Sequence, residues 1–531
     1  MVSRHIQTRE LYCSAKQRGD YWLAANQEYQ NSLTKIKMNN QLSESIAESK
    51  GCKQGSKNAS DHYKTYISPL LDTVDSANLG VWIGPINVGS TCCADDFLGM
   101  SDDPYKLQCI LNLASHYGQM YQVKYGADKT KVTISGPQID QQYYMDTKPW
   151  VMDGKQVSVV MNNEHLGQIV SGTSQLQKNV DNRISKGRNA LFSLLGSSFA
   201  FKCKLSPEVK LHLMKTFINP VLRSGLSTFS LRSNNINPIA VFHRKTIKSI
   251  LQLSISAPTP SIHFLTSELP IEAQIHQDVF SLFYCVWNNP QTKIHKIVKY
   301  LLENSNEKSR TWAIHVRNLS RMYNMEDPLT LLLRDPPRKS EFKEYITTKI
   351  VCYHENELRK YASESESMKY LNTSLFSLRG KPHPAISNVL TCKEIKNMRP
   401  HLKLLTGDYL TYEKKARQSG GDPKCRMCFK GISESVSHVI ESCEALQLTR
   451  QKVFNDIFTF CKQNYIPIEI YLDNSEQFTQ FILDPSSINL PIRVNINDPI
   501  LPDLFRLCRN FCNAIHTERI RKLKKLSEKL G

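Results

Sequence analysis

No stretch of the chain reaches the eighteen consecutive apolar residues that a bilayer-spanning helix needs. The opening "MVSRHIQTRELYC" also lacks the apolar core of a secretory signal. These absences set the expectation of a nuclear or cytoplasmic protein that is not secreted and has no membrane partner. There is no fixed-period repeat and no long low-complexity tract, which excludes solenoids and arrays, although residues 42–60 are polar enough to form a surface loop region. The fifteen cysteines are odd in number and scattered, so they do not read as a disulfide framework; reduced thiols or a metal site fit better. Acidic side chains are the scarce charge: 49 Asp and Glu face 68 Lys and Arg in 531 residues, a formal charge of +19. That surplus points to a polyanionic partner, with nucleic acid first. The length allows for several domains and a sizeable core.

What is present is local pattern. Residues 81–88 and 92–100 read as two short apolar strands, and Ala94-Asp95-Asp96 in "TCCADDFLGMS" reads as a tight hairpin tip. Next, Leu107, Ile110, Leu111, Ala114 and Tyr121 recur at helical spacing, and "KVTIS" at 131–135 is extended again. Strand, hairpin, helix, strand is half of a split βαβ sheet, with one face covered by helices and the other open to a partner. Two carboxylates at such a tip suit Mg²⁺ or Mn²⁺, hard cations held by one or two carboxylates together with substrate phosphates. Two-metal nucleotidyl transfer then follows as a hypothesis. A solvated turn is the plain alternative, and "SDDPYK" at 101–106 carries the same dipeptide.

The segments around Asp95 resemble the reverse transcriptase of non-LTR (LINE-type) retrotransposons, over roughly residues 25 to 230 and again near the C-terminus. "GCKQGSKNASDHYKTYI" at 51–67 looks like the family's glycine-and-glutamine motif, "CADDFLGMS" at 93–101 its Ala-Asp-Asp motif, and "YGADKTKVTISG" at 125–136 its lysine motif. "EHLGQIVSG" at 164–172 looks like its Leu-Gly element, and the stretches after it like a helical thumb. The resemblance implies Asp95 and Asp96 as catalytic metal ligands and Lys129 as the proton donor to departing pyrophosphate. It implies Gln54 and Gly55 against template and nucleotide, and Leu166 and Gly167 as the primer grip. Glycine at 55 lets backbone approach a ligand closely, and Gln54 offers both a donor and an acceptor. In the thumb, Val180, Ile184, Leu191, Leu194 and Leu195 form an apolar face that leaves Arg183, Lys186 and Arg188 for a duplex backbone.

The departures count as well. A polymerase palm needs a further carboxylate from a strand upstream of the glutamine motif, and Asp20 is the only aspartate within residues 1–60. It follows "KQRG" and no buried strand, so the expectation is a chain that starts after that motif, with an incomplete triad and impaired catalysis. Cys93 stands where the family has an aromatic residue, and "NASDHY" where it has Ser-Pro followed by apolar residues.

A second signal is "CRMCFKGISESVSHVIESC", in which Cys425, Cys428, His438 and Cys443 give C-x2-C-x9-H-x4-C. Three thiolates and one imidazole make a closed tetrahedral Zn²⁺ shell of the structural kind. A redox Cys-x-x-Cys pair is the alternative, without its usual βαβ context here. This region resembles the C-terminal zinc knuckle of the same retroelements, and Lys414, Lys415, Arg417, Lys424, Arg426 and Lys430 carry its charge. Helical patterns at 261–420, broken by proline-rich joints, read as a connection in which His295 and His315 are core or surface residues. The end is a basic amphipathic helix with Ile520, Leu523, Leu526 and Leu530 on one side.

The expected fold is thus α+β: a partial fingers and palm at 1–172, thumb at 173–260, helical connection at 261–420, zinc knuckle at 421–446 and basic helical tail at 447–531. The expected function is RNA-directed DNA polymerisation with an RNA template, a DNA primer or target, and dNTP. The alternatives are a non-catalytic RNA- or DNA-binding remnant and a partner of a complete retroelement polymerase.

Overall fold

The computed structural model describes residues 33–47, 59–121, 123–194, 205–373, 377–472, 474–487 and 500–530. Helices and short strands alternate in the first part, and helices dominate the rest. Two compact units result: residues up to Asn179 together with Pro290–Asn304, and Val180–Asn289 together with Ser305–Gly531.

In the first unit the helices Ala59–Ser76 and Pro104–Tyr121 share a core. Tyr66, Ile67, Leu70 and Val74 of the first meet Ile110, Leu111, Ala114 and Tyr117 of the second, with Trp150, Met152, Val157 and Val159 closing the cluster. The second helix starts where its sequence says it should. Asp103 accepts the Lys106 N–H at 2.9 Å, and proline at the first helical position loses no needed hydrogen bond. This assigns "SDDPYK" its role, with Asp102 pairing with Lys106 at 3.5 Å on the same turn. Burying each large apolar side chain of this face contributes about 1.5–3 kcal/mol. The Tyr117 ring stacks on Tyr121 at 4.4 Å between centroids, its hydroxyl donates to the Tyr66 carbonyl, and burial raises its pKa. A Cβ at Gly118 would lie 2.5 Å from the Val123 carbonyl oxygen, so glycine here lets the chain beyond the helix fold back closely against its last turn.

The strands differ from the expected pattern. Residues 81–88 are not one strand but a hairpin, Val81–Ile83 against Ile86–Val88, turning at Gly84 with φ 58°. A second hairpin follows at once, Ser90–Cys93 against Asp96–Gly99. Each strand among the described residues pairs with one neighbour only, so the open multistranded sheet read from the sequence is replaced by two-stranded ladders. The physical reason is length. Strands of two to four residues offer too few ladder bonds and too narrow an apolar face to recruit further strands. A small parallel unit does form: Lys131–Val132 pairs with Ser158–Val159 across the helix Gln138–Thr147. The helix Lys293–Asn304, counted by sequence among the connection helices, lies in this first unit; Lys293 bonds Asp75 at 2.5 Å and the Asn87 carbonyl at 3.0 Å.

The second unit is helical among its described residues and holds the segments expected as connection, knuckle and tail. His315 lies in its core, where burial lowers its pKa to about 4, so the imidazole is neutral. His295 is likewise buried, in the first unit. The final helix, Ile500–Leu530, is core in its first half, with Leu504, Phe505, Cys508, Phe511 and Ile515 buried. Beyond Arg519 it carries exposed basic residues, with Ile520 exposed and Leu523 and Leu526 half-buried. In the helix Gln175–Leu194, Val180 and Ile184 are buried as expected, but so is Arg183, which therefore does not share the solvent face with Arg188. Position 183 follows 180 by one helical turn and lies on the same side.

Candidate functional sites

Asp95 and Asp96 sit at the tip of the second hairpin. Ala94 and Asp95 form its two-residue turn, and Ala94 takes φ 51°, a left-handed conformation uncommon outside glycine. Asp96 opens the return strand directly opposite Cys93. Cys93, Asp95 and Asp96 are exposed, whereas Cys92 and Phe97, one step from the tip, pack on the core. The alternation of the ladder therefore turns the apolar side inward and leaves the tip in water. Among the described residues no third His, Cys, Asp or Glu joins the two aspartates in a group able to hold a metal ion.

Lys129 lies in the turn 127–129, exposed, its N–H bonded to the Gly126 carbonyl at 2.9 Å. The same loop reaches the aspartate hairpin through Tyr125, whose ring meets Phe97 edge-on at 6.3 Å. Lys131 is exposed at the start of the following strand. The structure thus brings the lysine loop and the aspartate hairpin together through their aromatic neighbours. Gln54 and Gly55 lie outside the described residues.

Leu166 and Gly167 form the turn of another hairpin, Asn162–His165 against Gln168–Ser171, with φ 49° and 76°. Two successive positive φ values match the twist that tight hairpins prefer, and glycine supplies the second without strain. Leu166 adopts its angle with a branched side chain that is 55% exposed. Asn179, fully buried, braces this hairpin. Its amide accepts from Ile169 N–H and donates to Ile169 C=O, both at 2.8 Å. Lys178 reaches Asn162 and Ser171 at 2.7 Å each. The sequence reading missed this brace, although an Asn one turn into a helix just after a hairpin is a signal for a side chain that completes a backbone ladder.

The Cys/His cluster has the opposite character. The ligand atoms of Cys425, Cys428, His438 and Cys443 all lie within 4.8 Å of one another. Cys425 Sγ to Cys443 Sγ is 3.9 Å, and Cys428 Sγ to His438 Nε2 is 3.6 Å. A tetrahedron built on Zn–S and Zn–N bonds has edges of about 3.5–3.8 Å, so the donor set fits Zn²⁺. Cys425, His438 and Cys443 are buried. The first two ligands come from a turn closed by the Cys425 N–H on the Ile432 carbonyl at 2.8 Å, with Phe429 at φ 54° and Gly431 at φ 71°. Of the other two, His438 opens and Cys443 caps a single π-helical turn, His438–Ser442, whose wider ring lets the Cys443 N–H reach the His438 carbonyl at 2.8 Å. Ser442 Oγ lies 3.2 Å from His438 Nδ1, fixing the ring so that Nε2 faces the thiols. A hydrogen bond from Cys443 lowers the pKa of the Cys425 thiol against its burial, with His438 and the backbone N–H groups of Met427 and Cys428 adding to this; the same contact, with burial, raises that of Cys443. One thiolate is thus already favoured before metal enters.

A buried ion pair that sequence reading did not find holds the knuckle in place. Arg519 donates to both oxygens of Glu434, at 3.0 and 2.8 Å, and Glu434 also accepts the Tyr412 N–H at 2.8 Å. Both side chains are at least nine-tenths buried. Arg450 donates to the Ile440 and Cys443 carbonyls at 2.9 Å each. Of the six cations expected to carry this region's charge, Lys414 bonds the Gly407 carbonyl at 2.6 Å, Arg417 pairs with Glu366 and Glu413, and Lys430 pairs with Glu444. Arg426 lies over the Tyr412 ring, 4.7 Å from its centroid. The Arg417 and Lys430 pairs are more than half exposed on the cation side, where such pairs contribute little and exchange readily.

Residues 11–168 match the family model of reverse transcriptase (RNA-dependent DNA polymerase). All palm candidates, from Gln54 to Gly167, fall inside that stretch. Reverse transcriptase domains use a divalent metal, and the family implies a nucleic-acid template and nucleotide substrates. No curated protein matches the chain. No helix among the described residues is long and apolar enough to cross a membrane.

Proposed function

We propose that this chain is a reverse-transcriptase-like protein of non-LTR retrotransposon origin that engages RNA template and DNA primer or target through its first unit and carries a structural zinc knuckle in its second. The observation that carries the reading is the family match over residues 11–168, with Asp95 and Asp96 at an exposed hairpin tip beside the lysine loop. In this reading the hairpin and the helices behind it are palm, the residues after Ser171 lead into the thumb, and the Leu166-Gly167 turn meets the primer strand.

Asp95 and Asp96 would hold the divalent cation, Mg²⁺ or Mn²⁺, which when bound supplies charge neutralisation at the nucleotide phosphates. Lys129 would give its proton to the departing pyrophosphate oxygen, as a point charge on a flexible stem. Cys425, Cys428, His438 and Cys443 would hold Zn²⁺, with all four positions filled by protein and none left for catalysis. The second reading is a nucleic-acid-binding remnant with impaired or absent catalysis, because Asp20 is the only aspartate in residues 1–60 and does not follow a strand-like apolar run. A chain that lends its knuckle to a complete retroelement polymerase is a variant of that second reading.

Primer extension on an RNA template with Mg²⁺ or Mn²⁺, comparing the unmodified chain with Asp95→Ala/Asp96→Ala, separates the two. Extension that falls at least about 10²-fold in the double variant means a working metal site. Extension unchanged by the double substitution means that the aspartates are not catalytic. No extension from either protein, with template binding intact, establishes the binding remnant.

A further inference from the structure

The second unit contains a cavity of about 470 Å³ that the polymerase reading does not use. It lies among the C-terminal end of the helix Ile271–Trp287, the start of the helix Lys339–Ser363 and the loop between Leu333 and Arg338. Aromatic rings make its floor. Trp287 and Phe342 are 3% and 6% exposed and meet edge-on at 5.6 Å, and Tyr345 stands at the rim with 40% of its surface free. The loop above is pinned to this floor: Trp287 Nε1 donates to the Arg334 carbonyl and the Tyr284 hydroxyl to the Pro337 carbonyl, both at 2.7 Å. Pro336 and Pro337 stiffen it further. The cavity is therefore preformed, within the size range of ligand sites.

Its charge runs against the rest of the molecule. In a chain of formal charge +19, three carboxylates line this cavity, Glu326, Asp335 and Glu341, against the single guanidinium of Arg334. Arg334 is committed to Glu326. Glu341 lines the cavity and accepts the Arg338 N–H at 3.2 Å through one of its two oxygens. The Asp335 carboxylate is exposed and makes no hydrogen bond or ion pair among the described residues. An aromatic floor with carboxylates at the rim is complementary to one side-chain type: an aliphatic stem that lies on the rings and ends in a positive charge. A cation already visits the outer ring, since Lys349 Nζ lies 5.9 Å from the Tyr345 centroid.

We infer that this cavity is a docking site for a lysine- or arginine-bearing segment of a partner protein, with the aliphatic stem on Trp287, Phe342 and Tyr345 and the cationic head between Asp335 and Glu341. The net positive charge of the chain sharpens the test, because it disfavours non-specific binding of a basic peptide.

The experiment is fluorescence anisotropy of a labelled peptide of alternating lysine and alanine with the full chain, beside the same peptide with glutamine in place of lysine. The lysine peptide is expected to bind, and the glutamine peptide to bind at least roughly tenfold more weakly. Asp335→Asn/Glu341→Gln, which keeps the shape and the Glu341 cap acceptor, is expected to weaken the lysine peptide by a similar factor. Tyr345→Leu is expected to weaken it without changing the salt dependence. Lysine-peptide binding unchanged in the double variant, no binding to the unmodified chain, or equal binding of the glutamine peptide would each overturn the proposal; the last would assign the cavity to an uncharged occupant. All three readouts are independent of primer extension.

Discussion

The aspartate hairpin and the Cys/His cluster are both candidate metal centres, and they are built in opposite ways. Asp95 and Asp96 stand in water at a two-residue turn, with no third ligand beside them among the described residues. The four soft ligands converge within 4.8 Å, three of them buried, with the imidazole fixed by Ser442 and the surrounding loop tied to Arg519. The difference teaches what each site needs from outside. Buried, converging thiolates repel one another and lose solvation unless a cation joins them, so metal and fold are one equilibrium. Exposed carboxylates are already solvated by water, so a cation there depends on phosphates or another ligand to complete its shell.

The largest effect should come from breaking the knuckle. Cys443→Ser, or chelation of the unmodified chain, is expected to take bound zinc to background and to remove roughly several kcal/mol from the knuckle's local stability. Metal analysis and amide exchange over residues 425–446 would read this, with protection of the helix Pro104–Tyr121 unchanged. Retained zinc in Cys443→Ser would mean that the cluster is not the metal centre. Next in size, Arg519→Met leaves Glu434 buried without its partner and should cost about 3–5 kcal/mol in chemical denaturation of the second unit. A loss below about 1 kcal/mol would mean that water solvates Glu434 and that the pair is not a buried anchor. The smallest effect sharpens the contrast: Asp95→Ala/Asp96→Ala should change stability by no more than about 0.5 kcal/mol, because both carboxylates are exposed and neither is paired among the described residues. A larger change in the melting curve would mean that the hairpin tip is structural.

How far the sequence carried varied with the range of the interaction. The knuckle was legible because two ligands come from one turn and two from the next helical turn, all within nineteen residues. The hairpin tip at Asp95 was legible because a two-residue turn between short apolar runs is a local event. The same local reading misjudged residues 81–88, where Gly84 hides a second hairpin inside what reads as one strand. It also put Arg183 on the wrong face, since a charged residue is assigned to solvent unless its partners are known.

By itself, the sequence determined the mixed helical and extended character of the chain, its basic surplus, the aspartate tip and the Cys3His spacing, because composition, turn chemistry and i to i+4 periodicity act over a few residues. Only the tertiary structure decided that Asn179 completes the Leu166-Gly167 hairpin, that Glu434 and Arg519 meet from positions 85 residues apart, and that carboxylates gather on an aromatic floor at Trp287. Those contacts are fixed by which apolar faces must be buried against one another, and that burial is a property of the whole core that no short window contains.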